Sequence, residues 1–206
     1  MEVETIAVIG MGSVGREIAY YALLGGYRTV LEDVSAERVE QSVAWLVGSF
    51  EEGVLRSELA AGMRDAARAL ISTARSVEDA IRNADLLIEA VPDEMEMKLE
   101  LFTLFDRFAK PGAILASGSR AFSIGEMTDV TTSQERCVGM RFCNTAGGEK
   151  AVEIVKTQVT SQETVVSCLE VARRMGRAAV IIEESSNPAA PQNPETPETT
   201  AAERKR

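Results

Sequence analysis

The segment spanning residues 5–35 constrains the fold more than any other part of the chain, because an apolar strand leads into three spaced glycines, a helix and a second apolar strand. Gly10, Gly12 and Gly15 form the pattern Gly-x-Gly-x-x-Gly directly after the first strand, and Asp33 closes the second strand. In a dinucleotide-binding unit the first glycine permits a tight turn and the second lets the backbone approach a pyrophosphate. The third allows helix and strand to pack closely. The segment therefore predicts a strand–turn–helix–strand unit that binds a dinucleotide.

The start of the helix and the end of the second strand predict how the dinucleotide is held. Ser13 and Val14 begin the helix, so its unpaired N–H groups and positive dipole end would face the phosphates. The Asp33 carboxylate would accept hydrogen bonds from the adenosine ribose and would repel a 2′-phosphate, which favours NAD over NADP. Arg28 and Arg38 lie nearby in the sequence and are interpreted as ordinary surface charges.

Composition argues against several classes of function. The chain has 206 residues and a formal net charge of -10, which disfavours binding to nucleic acid or to anionic membrane surfaces. The sequence enters the first strand without a secretory signal, and no apolar run reaches membrane-spanning length. Cys137, Cys143 and Cys168 lack metal-ligand spacing, and the sequence contains no histidine, so no metal site is expected. We therefore expect a cytoplasmic protein with reduced thiols.

Strands and helices alternate along the chain, as is typical of a doubly wound sheet. We expect a Rossmann-type α/β fold with a mainly parallel sheet in a single domain over residues 1–186. Residues 187–206 contain four prolines and no large apolar side chain, so we expect a flexible low-complexity tail. The periodicity predicts helices over 36–52, 57–69, 77–82, 93–109 and 162–175, and strands over 71–73, 85–91, 113–117, 137–142, 151–156 and 178–182.

Three further stretches carry a family pattern: DLLIEAVPDEMEMKLELF, ILASGSRAFSIGEM and RCVGMRFCNTAGGEKAVEIVKTQVTSQETV. Together with the glycine-rich segment, they resemble the NAD-binding domain of the L-3-hydroxyacyl-CoA dehydrogenases. The resemblance covers about residues 4–184, in order and almost without gaps. It implies a Rossmann-type domain followed by a helical dimerisation domain, and the oxidation of 3-hydroxyacyl-CoA with NAD.

The resemblance assigns further residues to the cofactor site. The family pattern of Ile-Glu-Ala followed by an acidic residue and a lysine is met by Ala90, Asp93 and Lys98. These residues, with Val91, are expected to line the nicotinamide half of the site. Asn144 matches the asparagine of the family motif His-Phe-Phe-Asn-Pro, so the resemblance assigns it to the cofactor site as well.

The catalytic residues of the family are not preserved. The histidine that removes the hydroxyl proton aligns with Arg141, and the substrate-binding serine aligns with Arg120. Arginine cannot act as the base because its pKa is too high for it to lose a proton in a protein. The glutamate that orients the histidine is retained as Glu153. Two interpretations of this trio stay open: a buried ion-pair network, or a guanidinium that binds an anionic ligand bidentately.

The end of the chain also departs from the family pattern, because the low-complexity segment stands where the helical domain would begin. We therefore expect a short form without that domain. Apolar surface that the domain would cover is then exposed, which favours a homodimer. Arg64, Arg68 and Arg75 lie where the family handles CoA phosphates, so a CoA-linked ligand is one candidate partner.

Three functions remain open from the sequence. The first is an NAD-binding protein in which classical hydroxyacyl-CoA oxidation is absent or very weak. The second is an active NAD-dependent oxidoreductase that acts on an acyl-CoA or on a small acidic substrate. The third is a half-enzyme whose cleft is completed by a separate helical chain.

Overall fold

The apolar run near the N-terminus forms the strand β1 (Thr5–Ile9), at the centre of an eight-stranded sheet. The computed structural model describes residues 2–144 and 148–184. The predicted tail over 187–206 and the predicted domain end at 186 lie outside the described residues. The other strands are β2 (Arg28–Glu32), β3 (Ile71–Thr73), β4 (Leu86–Glu89), β5 (Ile114–Ser117), β6 (Cys137–Asn144), β7 (Lys150–Lys156) and β8 (Ala178–Glu183).

The strand order is β3-β2-β1-β4-β5-β6-β7-β8. Neighbouring strands pair in parallel except β6 and β7, which are antiparallel, so β7 and β8 run opposite to the other six. The mainly parallel α/β sheet expected from the sequence is therefore confirmed. The helices are α1 (Ser13–Leu24), α2 (Ala36–Leu55), α3 (Ala61–Ala69), α4 (Val77–Ile81), α5 (Met95–Phe108), α6 (Ile124–Thr128) and α7 (Gln162–Arg174).

The core lies on both faces of the sheet, as the alternation of side chains along β1 shows. Ile6 and Val8 pack with apolar residues of α1, α2 and α7 on one face. Ala7 and Ile9 pack with the phenylalanines of α5 on the other. Because both faces are covered, the central strands read as continuous apolar runs rather than as an alternating pattern.

Two elements depart from the sequence-based expectation. The helix predicted from residue 57 begins at Ala61. Ser57 has a φ of 59°, a left-handed conformation that cannot belong to a right-handed helix, so the chain is not helical between α2 and α3. The helix α6 was not predicted, since five residues are too few to show helical periodicity. The remaining predicted helices and strands are present, with ends shifted by up to three residues.

The order of the strands creates the crevice in which ligands of this architecture bind. The chain moves outward from β1 through β2 to β3, then returns to place β4 on the other side of β1. At such a switch point the loops after the two strands diverge and leave an opening at their carboxyl ends. The glycine-rich turn after β1 therefore lies beside the loop after β4, where Ala90 donates from its backbone N–H to the carbonyl of Ile9 at 2.8 Å.

Candidate functional site

The glycine-rich turn is fixed by contacts that only glycine allows. Gly10 has a φ of 100°, and a Cβ atom at this position would lie 2.7 Å from the carbonyl oxygen of Ala90. A Cβ atom at Gly15 would lie 1.8 Å from the carbonyl oxygen of Gly10. The first glycine therefore permits the turn beside β4 and the third permits α1 to approach the turn closely, as the spacing predicts.

The N-terminus of α1 is open toward the crevice. Gly12 is the N-cap residue, it forms no side-chain cap, and the first turn of the helix has no acidic residue. A Cβ atom at Gly12 would meet no atom within 4 Å, and Ser13 and Val14 are exposed. This uncapped and exposed helix start suits the pyrophosphate of a dinucleotide, since backbone N–H groups and the helix dipole both favour an anion there.

Asp33 lies beside the turn, with its carboxylate held by four short contacts. Its Oδ2 atom accepts a hydrogen bond from the Met11 N–H at 2.8 Å, and its Oδ1 atom accepts one from the Ser35 N–H at 3.0 Å. The Nη1 atom of Arg38 lies 3.2 Å from Oδ1 and 3.3 Å from Oδ2. Arg38 is an exposed surface arginine, as predicted, with 53% of its side chain exposed, but its guanidinium also covers the carboxylate predicted to bind the ribose.

Glu32, the residue before Asp33, is buried at the end of β2 with only 4% of its surface exposed. Burial raises the pKa of its carboxyl group to about 7, and the negative charges of Asp33 and Glu78 add to the effect. Its backbone carbonyl accepts the Gly10 N–H at 2.8 Å, which ties β2 to the glycine-rich turn. The residue therefore joins the turn through its backbone and carries a buried titratable side chain.

A buried ion pair forms the floor of the crevice after β4. Lys98 and Glu89 are almost fully buried, and Lys98 Nζ lies 2.7 Å from Glu89 Oε1. Lys98 Nζ also lies 3.2 Å from Asp93 Oδ1 and donates to the carbonyl of Val91 at 3.2 Å. Lys98 therefore holds the loop that carries Val91 and Asp93, and its charge is satisfied within the protein.

The same network extends to the loop after β5. Glu89 Oε2 accepts a hydrogen bond from the Ser117 hydroxyl at 2.7 Å. Ser117 Oγ accepts the Ser119 N–H at 3.1 Å, and the Ser119 hydroxyl donates to Asp93 Oδ1 at 2.7 Å. These bonds close a ring between the carboxyl ends of β4 and β5, so both loops are fixed around the Glu89 side chain.

Arg141 lies on β6, two strands from β4, and only 8% of its surface is exposed. Its Nε atom donates to the carbonyl of Ser119 at 2.7 Å, and its Nη2 atom donates to the carbonyl of Phe122 at 3.4 Å. Burial lowers the pKa of this guanidinium, but an arginine side chain remains protonated in a protein. Arg141 therefore anchors the loop between β5 and α6 and cannot accept a proton.

Arg120 and Glu153 form a separate and more exposed pair. Arg120 Nη2 lies 3.1 Å from Glu153 Oε2, with 53% of the arginine side chain and 26% of the glutamate side chain exposed. Glu153 stands opposite Arg141 across β6 and β7, yet Arg141 donates to the two carbonyls instead. The interpretation of all three side chains as one buried ion-pair network is therefore wrong.

Comparison with known proteins identifies the family. A family model described as "3-hydroxyacyl-CoA dehydrogenase, NAD binding domain" matches residues 5–185. The chain belongs to this family. It is 32% identical over 180 residues to "Probable 3-hydroxybutyryl-CoA dehydrogenase" of Bacillus subtilis, a match that covers 87% of this chain and 62% of that protein. It is also 32% identical to the mitochondrial hydroxyacyl-coenzyme A dehydrogenase of Sus scrofa, over 86% of this chain and 58% of that protein.

The solved structures agree with this assignment. The 3-hydroxybutyryl-CoA dehydrogenase of Escherichia coli K12 superposes with a TM-score of 0.83 at 28% identity, over 89% of this chain and 39% of that chain. The Rossmann-type fold and the family resemblance expected from the sequence are thus confirmed, and NAD is supported as the cofactor. The chain spans about three fifths of the length of the curated relatives quoted above.

Within the hydroxyacyl-CoA dehydrogenase-type domain, the predicted cofactor residues fall into three groups. The turn glycines, Asp33, Ala90 and Val91 converge on the crevice between β1 and β4. Lys98 is turned inward beneath it, with its ammonium bound by carboxylates and a carbonyl. Asn144 is the exposed last residue of β6, and the three residues after it lie outside the described part of the chain.

Sequence reasoning missed three polar residues that organise the site. Glu89 had a usable signal, because a glutamate that ends a fully apolar strand requires a partner, and Lys98 follows nine positions later. Ser117 and Ser119 had none, since serines after a strand are common in loops. No helix among the described residues is long and apolar enough to cross a membrane, and the same residues contain no cluster of three or more side chains that could hold a metal ion.

Proposed function

We propose that this chain binds NAD(H) at the crevice between β1 and β4 and does not carry out the 3-hydroxyacyl-CoA oxidation of its relatives at ordinary enzymatic rates. The observation that carries this proposal is the state of Arg141. Its position aligns with that of the catalytic histidine, and its buried guanidinium is bound to the carbonyls of Ser119 and Phe122.

The cofactor half of the proposal rests on an intact binding geometry. The uncapped start of α1 meets the demands of a pyrophosphate, and Asp33 lies at the end of β2 where a carboxylate can reach the ribose. Val34, beside Asp33, is an almost fully exposed apolar side chain, which suits contact with an adenine ring. Gly10 and Gly15 leave no room for a Cβ atom, while Gly12 faces open space where the cofactor would lie.

The catalytic half rests on the lack of a proton acceptor. A hydroxyl group can lose its proton during hydride transfer only if a base with a suitable pKa lies within hydrogen-bond distance. The 206-residue sequence contains no histidine, and Glu153 is engaged by Arg120 at 3.1 Å. Burial raises the pKa of Cys143, so this thiol is protonated near neutral pH. None of these side chains replaces the imidazole.

One observation supports the alternative of an active enzyme with an acidic substrate. Arg120 is half-exposed, and its surface pair with Glu153 is of the kind that contributes little to stability. An anionic ligand could therefore take the place of Glu153 on this guanidinium. Arg141 is the weaker candidate for this role, because only 8% of its surface is exposed and two of its nitrogens donate to backbone carbonyls.

Calorimetric titration with NAD and NADH, paired with an assay for NADH formation from 3-hydroxybutyryl-CoA, tests the proposal. We expect binding of the cofactor, weakened in Asp33→Ala, and no turnover. The double variant Arg120→Ser/Arg141→His restores the residue types of the relatives, so a gain of NADH formation would assign the loss to these two side chains. Turnover by the unmodified chain at about 1 per second or faster, the ordinary enzymatic range, would contradict the proposal.

The homodimer and the cytoplasmic location stay predictions. The homodimer is supported by the edge strand β8, on which Val180 and Ile181 are exposed apolar side chains. Light scattering behind a sizing column measures the mass directly. A monomer at all accessible concentrations would contradict the dimer.

A further inference from the structure

We propose that Arg38 sets the selectivity of the adenosine-ribose site, lowering affinity for NAD and raising affinity for NADP, so that discrimination between the two is relaxed. The inference rests on the proposed cofactor site. It concerns a residue of α2 whose guanidinium covers the carboxylate that the ribose would use.

The first step is that the Asp33 carboxylate is saturated. An ionised carboxylate offers about four acceptor positions on its two oxygens. The N–H groups of Met11 and Ser35 take one position on each oxygen, at 2.8 and 3.0 Å. Arg38 Nη1 approaches both remaining positions, at 3.2 and 3.3 Å. A ribose hydroxyl that donates to Asp33 must therefore displace one of these donors.

The second step is that only Arg38 can yield. The Met11 and Ser35 donors are backbone groups fixed by the glycine-rich turn and by the start of α2. The Arg38 backbone is also held, because its N–H donates to the Ser35 hydroxyl at 3.3 Å, but 53% of its side chain is exposed. Only 5% of the Asp33 side chain is exposed, but the guanidinium end of the pair lies in solvent, so breaking the pair changes an equilibrium constant by about fivefold. The ribose therefore displaces the guanidinium at a small loss of NAD affinity.

The third step concerns a 2′-phosphate. Asp33 alone would repel it, which is the usual basis for NAD selectivity. Here the carboxylate is neutralised by a guanidinium whose backbone attachment stays beside the ribose site after the side chain rotates. Guanidinium groups bind phosphate oxygens with strong, often bidentate hydrogen bonds. The Arg38 guanidinium therefore binds the 2′-phosphate of NADP, whereas it competes with the ribose hydroxyl of NAD for Asp33.

Calorimetric titrations of NAD and NADP into the full chain test this inference, with Arg38→Gln as the variant. We expect Arg38→Gln to bind NAD about threefold more tightly, since the competing ion pair is lost. We expect it to bind NADP about tenfold more weakly, since a charge-assisted contact is lost. Arg56→Gln is the matched control, because Arg56 forms an exposed pair with Glu52 at the far end of α2. It should leave both dissociation constants unchanged.

Salt dependence and a conservative variant give independent readouts. Added salt should weaken NADP binding in the unmodified chain and in Arg38→Lys, because both keep a positive charge at this position. In Arg38→Gln the NADP affinity should fall less steeply with salt concentration. The inference is overturned if the ratio of NADP to NAD dissociation constants is the same in Arg38→Gln and in the unmodified chain. The proposed function still stands in that case, provided that NAD binds. If the unmodified chain binds neither nucleotide, the proposed function fails and this inference fails with it.

Discussion

The buried carboxyl of Glu32 should make the protein less stable as the pH rises, and Glu32→Gln should remove that loss. The pKa of this carboxyl is raised from an ordinary value of 4.5 to about 7, first by burial and then by Asp33 and Glu78. Between these two values the folded state binds more protons than the unfolded chain. Stability therefore falls as the pH rises through this window, and the full loss is present above pH 7. A shift of this size corresponds to at most about 3 kcal/mol.

Urea unfolding at pH 4.5, 6 and 8 measures the effect directly. Both proteins expose the same surface on unfolding, so their free energies of unfolding fall with urea concentration at the same slope and can be compared. Glu32→Gln should match the unmodified chain at the lowest pH and exceed its free energy of unfolding by at most about 3 kcal/mol at the highest. The exposed Glu40 of α2 provides the control, and Glu40→Gln should leave the pH dependence unchanged. If Glu32→Gln showed the same pH dependence as the unmodified chain, the assignment of the raised pKa to Glu32 would be wrong.

Two further substitutions test the turn and the floor of the crevice. Gly15→Ala should abolish NAD binding and lower the melting temperature, because the added Cβ atom would meet the Gly10 carbonyl oxygen at 1.8 Å. Calorimetry measures the NAD affinity, and an unchanged affinity would contradict the close packing of α1. Lys98→Met should lower the free energy of unfolding in urea by about 3–5 kcal/mol, because it leaves the buried Glu89 carboxylate without its cation. The double variant with Glu89→Gln should recover part of this loss, and no recovery would mean that the pair is not the cause.

The parts of the fold that depend on local backbone requirements were predictable from the sequence. The spacing of Gly10, Gly12 and Gly15 encodes a turn and two close approaches, so it predicted the β1–α1 unit and the position of Asp33 together. The start of α3 was mistaken because the pattern of apolar residues carries no signal for the positive φ of Ser57.

The contacts that define the site were not predictable, because their partners carry no distinctive signal. Arg38 turns back onto Asp33 five positions earlier, but an exposed arginine in the first turn of a helix has many alternatives of similar energy. Arg141 binds the carbonyls of Ser119 and Phe122, and every residue has a carbonyl. The resemblance predicted that Arg141 stands where the family has its catalytic histidine, while only the structure shows which atoms the guanidinium contacts.

The anchoring role of Arg141 links the proposed loss of hydroxyacyl-CoA oxidation to the stability of the loop between β5 and α6. Arg141→His would free the carbonyls of Ser119 and Phe122, and hydrogen bonds to a charged donor contribute about 1.5–3 kcal/mol each. Because the contact with Phe122 is long at 3.4 Å, and removal of a buried guanidinium also relieves its desolvation, we expect a net loss of about 2 kcal/mol, mostly from the bond to Ser119. Arg120→Ser breaks only an exposed pair and should lower stability by less than about 1 kcal/mol. Urea unfolding of the two single variants measures this difference. Equal losses would show that Arg141 does not hold the loop, and a return to histidine would then face no structural barrier.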